Sequence, residues 1–272
     1  MKNTRTFLLI LFAFILAIPV ISSQEKETEF KKVYITITTL HGMEGVSLED
    51  WKATEKEYFD KVTSKIDLLL SHEFLISNIK NDFSDIKVIN VFGSWEDIAK
   101  INEVRNALIE EAWPNKEERD LFFEKQNSFY TNLHSDEIYT STSFGFPISD
   151  KTKKAQKTPF VFFIQKSTLV DDKSNDTHLV YEKYARNVFH KNDFIKGYYP
   201  QKHLWGSDSR DFVEIFVLSD TEDIMKSIDR NRDLLKKLVP EEEKRQEFLD
   251  AYESAILNRV NATYFNVPSL SK

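Results

Sequence analysis

The chain has 272 residues, a formal net charge of −7 and no cysteine, and hydrophobic residues make up 41% of it. The lack of cysteine excludes disulfide bonds and thiol chemistry, so stability has to come from a packed core or from association. Because lysines and arginines are scattered along an acidic chain, we expect no nucleic-acid partner.

Residues 1–23 have the pattern of a secretory signal peptide. Lys2 and Arg5 precede an unbroken apolar run at residues 7–21, and small residues follow it up to Ser23. This run is shorter than the ~20 residues that a membrane-spanning helix needs. We therefore expect cleavage near Ser23, no stable membrane insertion afterwards, and export to the periplasm or to the outside of the cell.

Most of the remaining chain is one repeated unit. Residues 58–132 align with residues 184–258 at a constant offset of 126, and 19 of the 75 aligned positions are identical. A period of this length indicates two copies of a small domain rather than a solenoid. The predicted organisation is a signal peptide at 1–23, a charged lead-in at 24–31, a first unit at 32–143, a linker at 144–158, a second unit at 159–268 and a tail at 269–272.

The first copy predicts a series of strands and helices. Residues 33–38 alternate β-branched and polar side chains, as a half-buried strand does. Ser47 and Ser94 each stand three residues before an aspartate, a spacing that caps a helix start, and Pro114 opens a further helix. The expected elements are strands at 33–38, 73–80, 86–92 and 138–143, and helices from Ser47 to about Leu70, from Ser94 to Ala112 and from Pro114 to about Asn132.

The second copy predicts the same order of strands and helices. Asp220 with Asp223 replaces the Ser94 cap, and Pro240 replaces Pro114 at the helix break. The expected elements are strands at 160–165, 198–205, 212–218 and 263–267, and helices at 177–190, after Asp220 and after Pro240.

Both faces of these strands are predicted to be buried. Residues 160–164 are apolar at every position, and residues 212–217 are apolar at all but one. A sheet with helices on one face and water on the other would alternate instead. The sequence therefore predicts an α+β fold, in which two tandem ferredoxin-like units, each β-α-β-β-α-α-β, pair their antiparallel sheets into a barrel within one chain.

In this duplication and topology the chain resembles the dimeric α/β-barrel superfamily, in which two ferredoxin-like units pair their sheets into a barrel. The resemblance covers about residues 32–268. The chain is also similar to a group of exported bacterial proteins in which a segment like residues 203–211, HLWGSDSRD, recurs. This segment says little about an activity.

The region around that segment is the densest in reactive side chains. On a strand, Tyr199, His203 and Trp205 project to one face. A polar group beside aromatic rings on a barrel-lining face suits a small-molecule site. The candidate ligand-binding residues are Tyr199, His203, Trp205, Asp208 and Arg210.

The same segment also fits a plain hairpin. Gly206 and Asp208 would turn the chain, with Asp208 accepting from backbone amides and Arg210 pairing with a carboxylate. The first copy carries Ser77, Ile79 and Ser84 in place of His203, Trp205 and Arg210. This difference is consistent with a site that only one half has kept.

The resemblance implies two kinds of enzyme. Some relatives with two units per chain, resembling chlorite dismutases and dye-decolourising peroxidases, hold haem through a histidine of the second unit with an arginine opposite. His190 or His203, with Arg186 or Arg210, are the candidates for those roles, although no residue-by-residue match assigns either histidine to the family's ligand position. Other relatives are cofactor-free monooxygenases or stress-response proteins that take aromatic molecules into the barrel.

Three functional hypotheses follow. The first is an exported, soluble protein that binds a small apolar or aromatic molecule, with no assignable catalysis and no favoured cofactor. The second is an oxidoreductase of the barrel superfamily, either haem-dependent or cofactor-free. The third is a structural or interaction protein with a filled barrel. The histidines lack ligand spacing, so we expect no metal site, and we expect a monomer or a weak homo-oligomer.

Overall fold

The computed structural model describes residues 30–77, 85–170 and 176–272. Within this part, Lys32–Lys272 forms one compact unit. The predicted signal peptide and all of the lead-in except its last two residues lie outside the described residues. In the described ranges, no helix has the length and apolar character that crossing a membrane requires.

Among the described residues, each half contains four strands and three main α-helices. The first half comprises β1 (Tyr34–Gly42), α1 (Leu48–Lys61), β2 (Leu69–Ser77), β3 (Ile86–Phe92), α2 (Trp95–Ala112), α3 (Lys116–Asn127) and β4 (Tyr130–Ser141). After a short helix α4 (Asp150–Ala155), the second half comprises β5 (Val161–Leu169), α5 (Asp176–Asn187), β6 (Gly197–Trp205), β7 (Asp211–Leu218), α6 (Glu222–Leu238), α7 (Glu242–Ser254) and β8 (Ile256–Asn266).

The helix starts are fixed by the predicted capping residues. The Ser47 hydroxyl accepts a hydrogen bond from the Asp50 amide at 3.2 Å, and the Ser94 hydroxyl accepts from the Asp97 amide at 3.1 Å. At α6 the cap residue is Thr221 rather than the predicted Asp220, whose carboxylate instead accepts from the Glu222 amide at 2.9 Å. An aspartate one position earlier therefore still satisfies a free amide of the first turn.

The eight strands close into a barrel in the order β1-β3-β2-β8-β5-β7-β6-β4, with every neighbouring pair antiparallel. Each half supplies four consecutive strands in the ferredoxin-like order. The halves join at two short seams, where β2 pairs with β8 through Leu75–Ser77 and β4 pairs with β6 through Ile138–Ser141. The predicted fold class, an intrachain α/β barrel of two tandem units, is confirmed.

Strand β7 shows why both faces of the strands are apolar. All eight of its residues are buried. Val213, Ile215 and Val217 face the barrel interior, whereas Phe212 and Phe216 face the helices of the second half. Each such side chain contributes roughly 1.5–3 kcal/mol by leaving water. Because β7 packs against a buried layer on each face, its sequence does not alternate between apolar and polar residues.

The last strand of each half begins earlier than predicted. β4 begins at Tyr130 rather than at residue 138, and β8 begins at Ile256 rather than at residue 263. The prediction that the preceding helix reaches Asn132 was also wrong, because α3 ends at Asn127. The early parts of both strands are largely exposed and show no apolar alternation. They form strands because β1 and β5 pair with them.

The segment predicted as a linker, residues 144–158, is packed against the second half. Phe144 is fully buried in the core on the helix side of that half. Phe146 forms an antiparallel bridge with Tyr198 of β6, and Ile148 reaches the barrel core. The connection between the halves thus contributes side chains to two layers of the core.

Candidate functional site

The predicted site residues of β6 divide along the strand. Tyr199 packs against the barrel core, and its hydroxyl accepts a hydrogen bond from the Ile148 amide at 3.1 Å. His203 lies on the same inward row, and its ring meets the Tyr139 ring edge-on at 5.8 Å between centroids. Gln201 lies between them and is buried. These inward residues approach the end of the barrel where β5 and β6 finish, which we call the barrel mouth.

The other predicted residues do not join this row. Trp205 is 68% exposed. Asp208 lies in the turn between β6 and β7, where its carboxylate accepts hydrogen bonds from the backbone amide and the guanidinium of Arg210. The hydrogen bonds from Arg210 lower the pKa of Asp208 to about 2. The structure therefore does not gather the five residues into one pocket, and their shared role in ligand binding stays a prediction.

A haem does not fit the histidines proposed for it. The Nε2 atom of His190 lies 2.9 Å from the carbonyl oxygen of Phe144, and the ring packs against Phe146. That nitrogen is occupied by the backbone. The His203 ring lies edge-on to Tyr139, and its Nε2 is buried beside Gly206 at the start of the turn between β6 and β7. Because the His190 nitrogen is bonded to the backbone and the His203 nitrogen lies close against the turn, these two histidines do not fit a haem.

The barrel mouth carries a partly buried ion-pair cluster. The Lys166 ammonium lies 2.7 Å from a carboxylate oxygen of Asp211 and 3.0 Å from one of Glu137. The hydroxyls of Tyr139 and Ser207 also donate to Glu137. Although burial opposes it, these hydrogen bonds and the lysine charge lower the pKa of Glu137. The cluster spans the barrel from β5 to β4.

A second candidate site lies outside the barrel, between the sheet and the helices of the first half. This first-half cavity has a volume of about 300 Å³. Its lining combines aromatic rings with polar side chains, a mixture typical of small-molecule sites. Its lining includes Glu55, Tyr58, Phe59, His72, Asn90 and Tyr130.

Glu55 is the buried carboxylate of this cavity. It lies on α1 and is only 5% exposed. It accepts hydrogen bonds from the Tyr130 hydroxyl at 2.7 Å and from the Gln126 amide at 3.0 and 3.1 Å. Burial raises its pKa, and the two donors act against that shift. Three hydrogen bonds leave one of the roughly four acceptor positions of a carboxylate for a ligand.

His72 supplies a second acceptor. Its Nδ1 lies 2.7 Å from Asn90 Oδ1, and the Asn90 amide nitrogen donates to the Thr36 hydroxyl. Because this orientation presents an oxygen to His72, we assign the proton to Nδ1, which leaves Nε2 as an acceptor. Burial lowers the pKa of His72, so the ring is neutral near pH 7. Its ring lies 5.9 Å from the Phe59 ring and 6.4 Å from the Phe74 ring, measured between centroids.

The corresponding space in the second half is filled. At the offset of 126, Glu55, His72 and Gln126 correspond to Tyr181, Tyr198 and Tyr252. Those three tyrosines are buried together in the core on the helix side. The rings of Tyr181 and Tyr252 lie 4.6 Å apart. Three large rings therefore occupy the volume that the first half leaves open.

The sequence contains a signal for this cavity, although a focus on reactive residue types near residues 203–211 does not detect it. Glu55, His72 and Gln126 are polar where the other copy has tyrosine, a difference of the kind that singled out His203. Their partner Tyr130 corresponds to Ile256. Comparing the copies at every position, rather than at the reactive segment alone, would have selected them.

Solved structures of low sequence identity share this fold. A candidate monooxygenase from Lactobacillus acidophilus aligns with a TM-score of 0.53 and 12% identity, covering 86% of this chain and 94% of that one. A candidate monooxygenase from Fusobacterium nucleatum aligns with a TM-score of 0.57 and 7% identity, covering 87% and 93%. An anthrone oxidase-like protein aligns with a TM-score of 0.51 and 10% identity, covering 88% and 92%.

Sequence comparisons add no relative to these structures. No family model matches the chain, and no curated protein sequence matches it. At identities of this size, the likeness to the solved structures establishes the fold alone.

Proposed function

We propose that this dimeric α/β-barrel protein, which builds both halves of the barrel from one chain, binds a small, partly apolar molecule that carries a hydroxyl group. The observation that carries the proposal is the first-half cavity, where Glu55 and His72 present acceptor atoms among aromatic rings. A hydroxyl donates its single hydrogen bond to one of these acceptors, and an apolar body packs against the aromatic rings in the remaining volume.

Titration calorimetry with p-cresol and toluene tests this proposal, because the two probes differ by one hydroxyl. We expect p-cresol to bind and toluene to bind at least tenfold more weakly, since only the phenol supplies a donor to the buried acceptors. Glu55→Gln is expected to weaken p-cresol binding by about tenfold, the loss of one charge-assisted hydrogen bond.

Glu57→Gln is the matched control, because Glu57 lies two residues further on the same helix and pairs with Lys61 at the surface. It should leave the affinity for p-cresol unchanged. Equal affinities for the two probes, or an unchanged affinity in Glu55→Gln, would contradict the assignment. Native mass spectrometry of the protein from its own host would then identify the natural ligand.

A second candidate function is cofactor-independent oxidation of such a molecule. It is supported by two proton acceptors in one cavity, Glu55 with a raised pKa and neutral His72, and by the fold shared with the three oxygenase-type structures. Anthrone with O₂ gives anthraquinone and water. We expect O₂ uptake with anthrone to fall at least tenfold in the Glu55→Gln, His72→Phe double variant. Uptake equal to the buffer rate in the wild-type protein would exclude this activity.

We also propose that the protein acts outside the cytoplasm. The support is the sequence pattern of Lys2 and Arg5 followed by the apolar run at residues 7–21. N-terminal sequencing of the protein from its host should then begin near Gln24. A chain that retains residues 1–23 in the cytoplasmic fraction would refute export.

A further inference from the structure

The barrel mouth contains a buried polar atom that nothing in the described part of the chain satisfies. Gln201, on the inward row of β6, is 3% exposed, and its Oε1 atom has no hydrogen-bond partner there. The corresponding residue of the first half is Leu75, which is fully buried and leaves no such atom. An unsatisfied buried carbonyl is costly, and native proteins usually supply a partner for it.

His203 presents a second atom of this kind. Its Nε2 is buried without a hydrogen-bond partner among the described residues. His203 follows Gln201 by two positions on β6, so the two side chains leave the strand on the same face about 6.6 Å apart. The first half has Ser77 at this position. Two unsatisfied groups thus belong to neighbouring inward positions of β6, where the first half has Leu75 and Ser77.

The ion-pair cluster at the barrel mouth carries a surplus negative charge. Glu137 and Asp211 each carry a negative charge, and both share the single positive charge of Lys166. One negative charge is therefore left over in the cluster. Asp211 is buried, so that charge is poorly screened by water.

The kind of ligand follows from these properties. The Gln201 oxygen can only accept a hydrogen bond, and an unprotonated Nε2 accepts as well. A group that only donates and carries a positive charge satisfies both atoms and offsets the surplus charge. A primary ammonium has these properties, with three N–H donors and no acceptor.

We propose that the barrel mouth binds a small primary amine, whose ammonium group donates to Gln201 Oε1 and His203 Nε2 beside the carboxylate of Asp211. This site is separate from the first-half cavity, because the row of Gln201 faces the barrel interior and the cavity lies on the helix side of the sheet. An amine ligand would also account for the histidine at position 203, where the first half has Ser77.

Titration calorimetry with benzylamine and benzyl alcohol at pH 8 tests the proposal, since the two probes differ only in the polar group. We expect benzylamine to bind and benzyl alcohol to bind at least tenfold more weakly. Gln201→Leu and His203→Ser place the residues of the first half at these positions. Each variant should weaken benzylamine binding by at least tenfold.

Thermal unfolding separates loss of the site from loss of the fold. Gln201→Leu removes an unsatisfied atom, so we expect its midpoint to be no lower than that of the wild-type protein. If the branched side chain lowers it, Gln201→Met keeps the unbranched shape and should give the same loss of affinity. Equal affinities for the amine and the alcohol, or benzylamine binding that survives both Gln201→Met and His203→Ser, would overturn the proposal.

Discussion

Glu214→Gln is expected to remove a loss of stability that the wild-type protein shows as the pH rises from 4.5 to about 7. Glu214 lies on β7 and is fully buried, and its Oε1 accepts a hydrogen bond from the Tyr198 hydroxyl at 2.5 Å. Its Oε2 is buried with no hydrogen-bond partner in the described part of the chain. Burial raises the pKa of this carboxyl from 4.5 to about 7.

The sign of the effect follows from proton binding. Between pH 4.5 and about 7 the folded protein keeps a proton on Glu214 that the unfolded chain releases. The free energy of unfolding therefore falls as the pH rises through this range. A shift from 4.5 to about 7 corresponds to roughly 3 kcal/mol at 1.36 kcal/mol per pH unit. Glutamine cannot ionise, so the variant lacks this loss.

Urea denaturation from pH 4 to pH 9 measures this pH dependence of the free energy of unfolding. The difference in unfolding free energy, Glu214→Gln minus wild type, should increase by roughly 3 kcal/mol between pH 4 and pH 8. Any constant cost of the new amide is the same at both pH values and cancels. Glu243→Gln, at an exposed position on α7, should show no comparable trend. A difference that stays flat or decreases with pH would show that Glu214 is not held protonated.

The two halves share one architecture but differ in which spaces their side chains fill. In the second half, tyrosines and Glu214 fill the space between sheet and helices. In the first half, smaller polar side chains leave a cavity there. At the barrel mouth the asymmetry is reversed, since Gln201 and His203 belong to the second half and the first half has Leu75 and Ser77. A duplicated fold can thus present a distinct site in each copy.

The fold was predictable because its signals are local or repeated. The offset of 126 residues and the caps at Ser47 and Ser94 are visible in the sequence, and so are strands that are apolar on both faces. The start of β4 was not predictable, because residues near His134 carry no alternation. Their strand depends on pairing with β1, where Leu40 faces His134.

The site was predictable only in part. His203 was selected by its residue type and by its absence from the first copy. Glu55 was overlooked, because a glutamate among charged neighbours on a helix is typical of a solvent-facing position. Its burial depends on Gln126 and Tyr130, which lie 71 and 75 residues away in the chain. No local pattern encodes such contacts.

Trp51→Ala is expected to cost about 3–5 kcal/mol of stability, the usual range for deleting a fully buried large aromatic side chain. Trp51 is 0% exposed on α1, and its ring packs edge-on against Phe74 of β2 at 5.3 Å between centroids. Its indole nitrogen donates to the Tyr130 hydroxyl at 2.7 Å, and that hydroxyl donates to Glu55. The variant therefore opens a void and removes a donor beside the first-half cavity.

Urea denaturation followed by circular dichroism measures this cost without relying on tryptophan emission. Trp51→Phe keeps most of the volume and loses only the donor, so about 1–2 kcal/mol is expected. Trp205→Ala is the control, because that indole is 68% exposed and its removal should change stability by less than about 0.5 kcal/mol. If Trp205→Ala were the more costly change, the exposed end of β6 would have a packing partner outside the chain. If the Trp51 variants differed little from each other, the hydrogen bond to Tyr130, and not the ring volume, would hold α1 to the sheet.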